Sequence, residues 1–116
     1  MSNSKLVLIV EDEPLIAMAM ESMIEDAGMK AISAHTIEDA MMLLATSDVR
    51  VAVLDYAIHG ESSEGVATTL REQRIPFVLC SGSDLPEALE AFSGAPCLSK
   101  PFSDKELQDV VMALSH

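Results

Sequence analysis

Five short apolar runs, each followed by a stretch of helical periodicity, constrain this 116-residue chain more than any other feature. The runs are Leu6–Val10, Ala31–Ala34, Val51–Leu54, Phe77–Cys80 and Ala95–Ser99. They do not alternate apolar with polar residues, so most of them need cover on both faces. That requirement is met by parallel sheets with helices packed above and below.

The segments between the runs supply those helices. The first follows Pro14, a residue tolerated in a first helical turn, with a stripe of Leu15, Ile16, Ala19, Met20, Met23, Ile24 and Ala27 and a stop at Gly28. The second opens on Thr36-Ile37-Glu38-Asp39, a capping-box-like start, and continues through Ala40, Leu43 and Leu44. The third runs near 64–73, burying Val66, Ala67 and Leu70, and Pro76 separates it from the next run. A fourth takes Asp84 as its cap and Pro86 in its first turn, followed by Leu89 and Phe92. The fifth begins with the capping box Ser103-Asp104-Lys105-Glu106 and carries Leu107, Val110, Val111 and Leu114 at helical spacing. The expected fold is therefore α/β, a β-α unit repeated five times with right-handed crossovers. One domain spanning 1–116 accounts for every segment, with nothing left for an output domain.

Composition narrows the partners. Only 3% of residues are aromatic and there is no Trp, so the core must rest on Val, Leu, Ile, Ala and Met. The eight methionines, among them Met18, Met23, Met41 and Met42, are expected to fill gaps along helices. With 19 acidic against 7 basic residues the formal net charge is −12, which repels nucleic acid and anionic membrane and favours partners with basic faces. No Lys/Arg cluster, secretory leader or long apolar stretch is present, so neither nucleic acid nor membrane is an expected partner and the expected location is the cytoplasm. Cys80 and Cys97 are both expected to be buried, reduced thiols.

Three polar clusters stand where runs end: Glu11-Asp12, Asp55 and Lys100-Pro101. In an open α/β sheet that edge forms the ligand crevice. Taken alone, Glu11-Asp12 also reads as a solvated loop capping a helix. Asp55 is different, because it closes a strand that should be buried and needs compensation. The acidic pair can compensate it only through a bridging cation, since like charges raise each other's pKa. Mg2+ suits such oxygen ligands and takes a phosphate oxygen besides. Lys100 adds a point charge that pairs with carboxylate or phosphoryl oxygens, and Pro101 permits a cis peptide. Ser81 offers a hydroxyl at the same edge, and Gly82 allows close backbone approach. The chemistry indicated is phosphoryl transfer to Asp55 as nucleophile.

The ordered set Glu11-Asp12, Asp55, Ser81 and Lys100-Pro101-Phe102 resembles the receiver domain of bacterial two-component response regulators over essentially the whole chain. The resemblance implies a flavodoxin-like doubly wound sheet of strand order 2-1-3-4-5. It further implies that Asp55 accepts a phosphoryl group from a histidine kinase or histidine phosphotransfer protein. Asp12, Asp55 and the backbone carbonyl of Ala57 would hold Mg2+, with Glu11 assisting through water, while Ser81 and Lys100 would contact the phosphoryl group. Output would be docking on an unidentified downstream protein, or relaying or draining phosphate.

Receivers of this kind usually carry Tyr or Phe three residues before the lysine, where this chain has Cys97. That departure, with Leu79-Cys80-Ser81-Gly82 and Gly60-Glu61-Ser62, is similar to a stand-alone subgroup common in alphaproteobacteria. Its expected readout is a change in the 81–89 loop and helix. A degenerate receiver that binds partners without phosphorylation is the alternative. A haloacid-dehalogenase-type phosphatase is disfavoured, because Ala57 stands where that family places a second Asp. His35 and His59 are expected at the surface, with His59 modestly affecting phosphoryl access. Tyr56 is expected to point away from Asp55 and to pack.

Overall fold

Successive residues of the first strand are buried on opposite sides of one sheet, Val7 and Ile9 in one core and Leu8 and Val10 in another. The computed structural model describes residues 5–81 and 90–115. Its main sheet comprises β1 (Leu6–Val10), β2 (Lys30–Ala34), β3 (Val49–Asp55), β4 (Phe77–Ser81) and β5 (Cys97–Ser99), all parallel. Their order is β2-β1-β3-β4-β5, the doubly wound, flavodoxin-like arrangement. The first, second and fourth strands match the apolar runs to within a residue, and β3 extends beyond its run at both ends.

Among the described residues four helices flank the sheet: α1 (Pro14–Asp26), α2 (Ile37–Thr46), α3 (Glu64–Glu72) and α4 (Asp104–Leu114). Met20 and Ile24 of α1 and Leu107 and Val111 of α4 join Val51, Val53 and Val78 on one side. Leu44 of α2 and Val66, Ala67 and Leu70 of α3 join Leu54 and Leu79 on the other. The expected caps are present. Thr36 Oγ1 accepts from Asp39 N at 3.0 Å, and Ser103 and Glu106 exchange bonds of 3.1 and 2.9 Å as a full capping box. Gly28, at φ +88°, adopts the left-handed conformation that ends α1, where a side chain would be strained.

Several expectations need correction. Leu15 is 80% exposed and Ala19 also faces out, while Ala17 is fully buried. The inward stripe of α1 is thus centred on Ala17, Met20 and Ile24, and the small Ala17 allows the helix to sit close to the sheet. Met18, Met41 and Met42 lie exposed, whereas Met20 and Met29 are buried in the core and Met23, as expected, packs against it. Cys97 is exposed because β5 is an edge strand. Its register partner is Leu79 whereas Cys80 pairs with Leu98, so the two thiols alternate to opposite faces. The expected fourth helix falls on 82–89, outside the described residues, and 90–92 form a 3-10 turn that buries Phe92. Among the described residues no helix is long and apolar enough to cross a membrane.

Candidate functional site

The carboxyl ends of β1, β3 and β4 and the residue after β5 deliver Glu11, Asp55, Ser81 and Lys100 to one edge of the sheet. Lys100 Nζ donates to Glu11 Oε1 and to Asp55 Oδ2, each at 2.9 Å. Glu11 is 1% exposed, so a buried charge here meets its counter-ion directly. The Lys100 backbone N–H also donates to the Ser81 carbonyl at 2.9 Å, tying β4 to the lysine, and the Lys100–Pro101 peptide is cis. Ser81 itself is buried.

Carboxylate oxygens of Glu11, Asp12 and Asp55 lie within 4.8 Å of one another. Lys100 meets the carboxylates of Glu11 and Asp55 but not that of Asp12, an excess of negative charge that a divalent cation with hard oxygen ligands would relieve. Burial pushes the Glu11 carboxyl above its ordinary value, against the opposing pull of its Lys100 hydrogen bond. Burial disfavours the Lys100 ammonium, yet the hydrogen bonds and charges of Glu11 and Asp55 outweigh it and hold its pKa above the ordinary lysine value. Asp12 is held below the usual carboxylate range, chiefly by the His59 backbone N–H, which donates to Oδ2 at 2.8 Å.

That His59 bond comes from a feature not anticipated from the pattern. Residues Ala57–Ile58 pair antiparallel with Glu61–Ser62, joined by His59 and Gly60, both with positive φ. Two positive-φ residues in a two-residue loop make a type I′ turn, in which Gly60 takes the second position that Gly commonly fills. The hairpin carries Ala57 at its start and turns the His59 amide onto Asp12. His35, expected at the surface, is half-buried, with Nδ1 3.0 Å from the Glu11 carbonyl oxygen. The apolar register gave no hint of it.

Ser63 was also missed. Fully buried, its hydroxyl donates to the Asp55 carbonyl at 2.6 Å and its N–H to the Tyr56 carbonyl at 2.8 Å. Tyr56 packs on the α2–α3 core as expected, its ring edge-on to Phe92. Gly82 lies outside the described residues. Beside Lys100, an open apolar cleft of about 470 Å³ is lined by Leu15, Ile16, Ala19, Met23, Pro101 and Phe102.

The five-stranded doubly wound sheet bears an acidic cluster and a lysine at its carboxyl edge, and comparison with known proteins identifies the family. The sequence model of the response regulator receiver domain matches residues 7–112, and the chain belongs to that family. SdrG from Sphingomonas melonis Fr1 is 34% identical with a TM-score of 0.82, covering 98% of each chain. The receiver domain of the Francisella response regulator 1452 is 29% identical with a TM-score of 0.82, covering 97% of each. The KDP operon transcriptional regulatory protein KdpE of Escherichia coli is 32% identical over 88% of this chain and 47% of its own length. The chain spans about half the length of the curated relatives it matches.

Proposed function

We propose that residues 1–116 act as one receiver unit in which Asp55 accepts a phosphoryl group from a histidine kinase or histidine phosphotransfer protein. The observation that carries this reading is the placement of Lys100 at 2.9 Å from both Asp55 and Glu11 beside three converging carboxylates. A purely structural lysine would need one carboxylate partner and no third acid beside it.

In the proposed reaction an Asp55 Oδ attacks phosphorus, and the bond from phosphorus to the donor's imidazole nitrogen breaks with its electron pair. A proton already on the other ring nitrogen lets the imidazole leave neutral; without it the imidazolate takes one proton from solvent and becomes neutral. Lys100 moves its charge from carboxylate to phosphoryl oxygen, and the buried Glu11 keeps the ammonium within reach. The Ser81 hydroxyl donates to a second phosphoryl oxygen. Asp12, Asp55 and the Ala57 carbonyl would hold Mg2+, with Glu11 acting through water. When bound, the ion supplies charge that offsets the gathered carboxylate and phosphoryl oxygens. The donor protein would dock on the open apolar cleft, where Leu15 is 80% exposed beside the site. Output is protein docking or phosphate relay, and the setting is the cytoplasm.

A degenerate, phosphorylation-independent binding module is the second reading, favoured only by Cys97 in place of an aromatic residue. Intact mass after incubation with acetyl phosphate, with Mg2+ or with EDTA, separates the two. One added phosphoryl group in Mg2+, absent in EDTA and absent in Asp55→Asn, supports phosphoacceptance; no gain in any condition supports the binding module.

A further inference from the structure

We propose that Tyr56 and Phe92 form a mechanical relay that carries the chemical state of Asp55 to the turn at 90–93. The relay deepens the reading of Asp55 as phosphoacceptor and rests on it. The main chain on both sides of Tyr56 is pinned. Ser63 donates its hydroxyl to the Asp55 carbonyl at 2.6 Å and its N–H to the Tyr56 carbonyl at 2.8 Å, while Tyr56 N–H donates to the Cys80 carbonyl at 3.0 Å. Main-chain motion at Asp55 is therefore passed to Tyr56 as a rigid unit.

The Tyr56 ring meets the Phe92 ring edge-on, centroids 5.7 Å apart and planes at 71°. Phe92 is fixed in turn. The Arg71 guanidinium donates from Nε to the Ala91 carbonyl at 2.7 Å and from Nη2 to the Ser93 carbonyl, bracketing Phe92 on both sides. The same guanidinium sits 5.5 Å above the Phe77 ring, which anchors it to β4. With both ends held, the ring-to-ring contact is the joint that must yield when Asp55 changes size and charge. Packed contacts of this type switch between discrete arrangements rather than deform smoothly. An edge-on aromatic pair is strong enough to change an equilibrium by about two- to ten-fold.

Tyr56 is the only tyrosine and there is no Trp, so its ring signals need to be told apart only from those of three phenylalanines and three histidines. The test follows those ring resonances by NMR while acetyl phosphate and Mg2+ phosphorylate the chain, with intact mass measured on the same samples. The relay predicts that the Tyr56 signals move in step with the mass gain, and that Phe92→Leu abolishes this response. Arg71→Gln, which frees the turn and leaves the core intact, must abolish it too, so the result does not depend on F92L folding. Tyr56→Leu shifts the steady-state phosphorylated fraction two- to ten-fold, Tyr56→Phe restores it, and Tyr56→Leu with Phe92→Leu is no worse than either alone. Full mass gain with unmoved Tyr56 signals overturns the relay alone, as does simple additivity in the double variant. Absence of any mass gain overturns phosphoacceptance and the relay together.

Discussion

The Ser63 hydroxyl sits 2.6 Å from the Asp55 carbonyl oxygen, so the residue that opens α3 fixes the backbone of the residue that ends β3. Ser63 is 0% exposed, which leaves no water to replace it. Ser63→Ala is expected to lower unfolding stability by about 1–3 kcal/mol, the cost of a buried hydrogen bond whose acceptor loses its partner. Urea denaturation checks the loss. An unchanged midpoint would show that the contact contributes nothing.

The three converging carboxylates predict a stability that depends on metal. In EDTA, Asp12→Asn should melt above the wild type, because one like charge is removed while an amide oxygen still accepts the His59 N–H. Saturating Mg2+ should reverse the order. The wild type gains about 2.7 kcal/mol at a hundredfold excess over Kd and the variant gains less. Thermal melts in paired buffers decide it, and equal Mg2+ shifts for both proteins would contradict the assignment.

Lys100 makes the sharpest prediction about rate. Replacing it by Ala removes the ammonium that pairs with Asp55 and, among the described residues, leaves the buried Glu11 without a counter-ion. Phosphorylation by acetyl phosphate should slow by about a hundredfold, the usual effect of deleting one preorganised electrostatic partner. Quenched-flow mass measurement reads the rate, and a rate within threefold of wild type would remove Lys100 from the mechanism.

The two cysteines should behave differently. Burial pushes the Cys80 thiol from 9.0 up to about 12, while Cys97 is exposed. Native protein should take one iodoacetamide, on Cys97, and a second only after unfolding. The folded pKa of Cys80 lies above its unfolded value, so its neutral thiol stabilises fully below about pH 9. That contribution, on the order of 4 kcal/mol, is lost as pH rises towards 12. Stability of Cys80→Ala should therefore fall less steeply than wild type between pH 9 and 11. Parallel slopes would contradict this.

Much of this was legible in the sequence because it depends on local pattern. Leu6–Val10 and Phe77–Cys80 read as buried strands from their lack of alternation, and Ser103 with Glu106 spelled out a capping box. The placing of Glu11, Asp55 and Lys100 at one edge followed from strand ends alone. What escaped depends on tertiary approach. Ala17 rather than Leu15 faces the sheet because of how closely α1 is set, which periodicity over two turns does not resolve. Cys97 reads as a buried thiol until β5 proves to be an edge. Ser63 and His59 act through hydrogen bonds to Asp55 and Asp12, and no residue pattern encodes such partners, although His59-Gly60 did carry a turn signal.

The most direct test locates the phosphoryl group. Protein treated with acetyl phosphate and Mg2+ is reduced with borohydride, which converts an aspartyl phosphate to homoserine, and then mapped by peptide mass spectrometry. The account predicts homoserine at position 55 and nowhere else. Homoserine at Asp12 or another carboxylate, or none at all beside a confirmed mass gain, would contradict it.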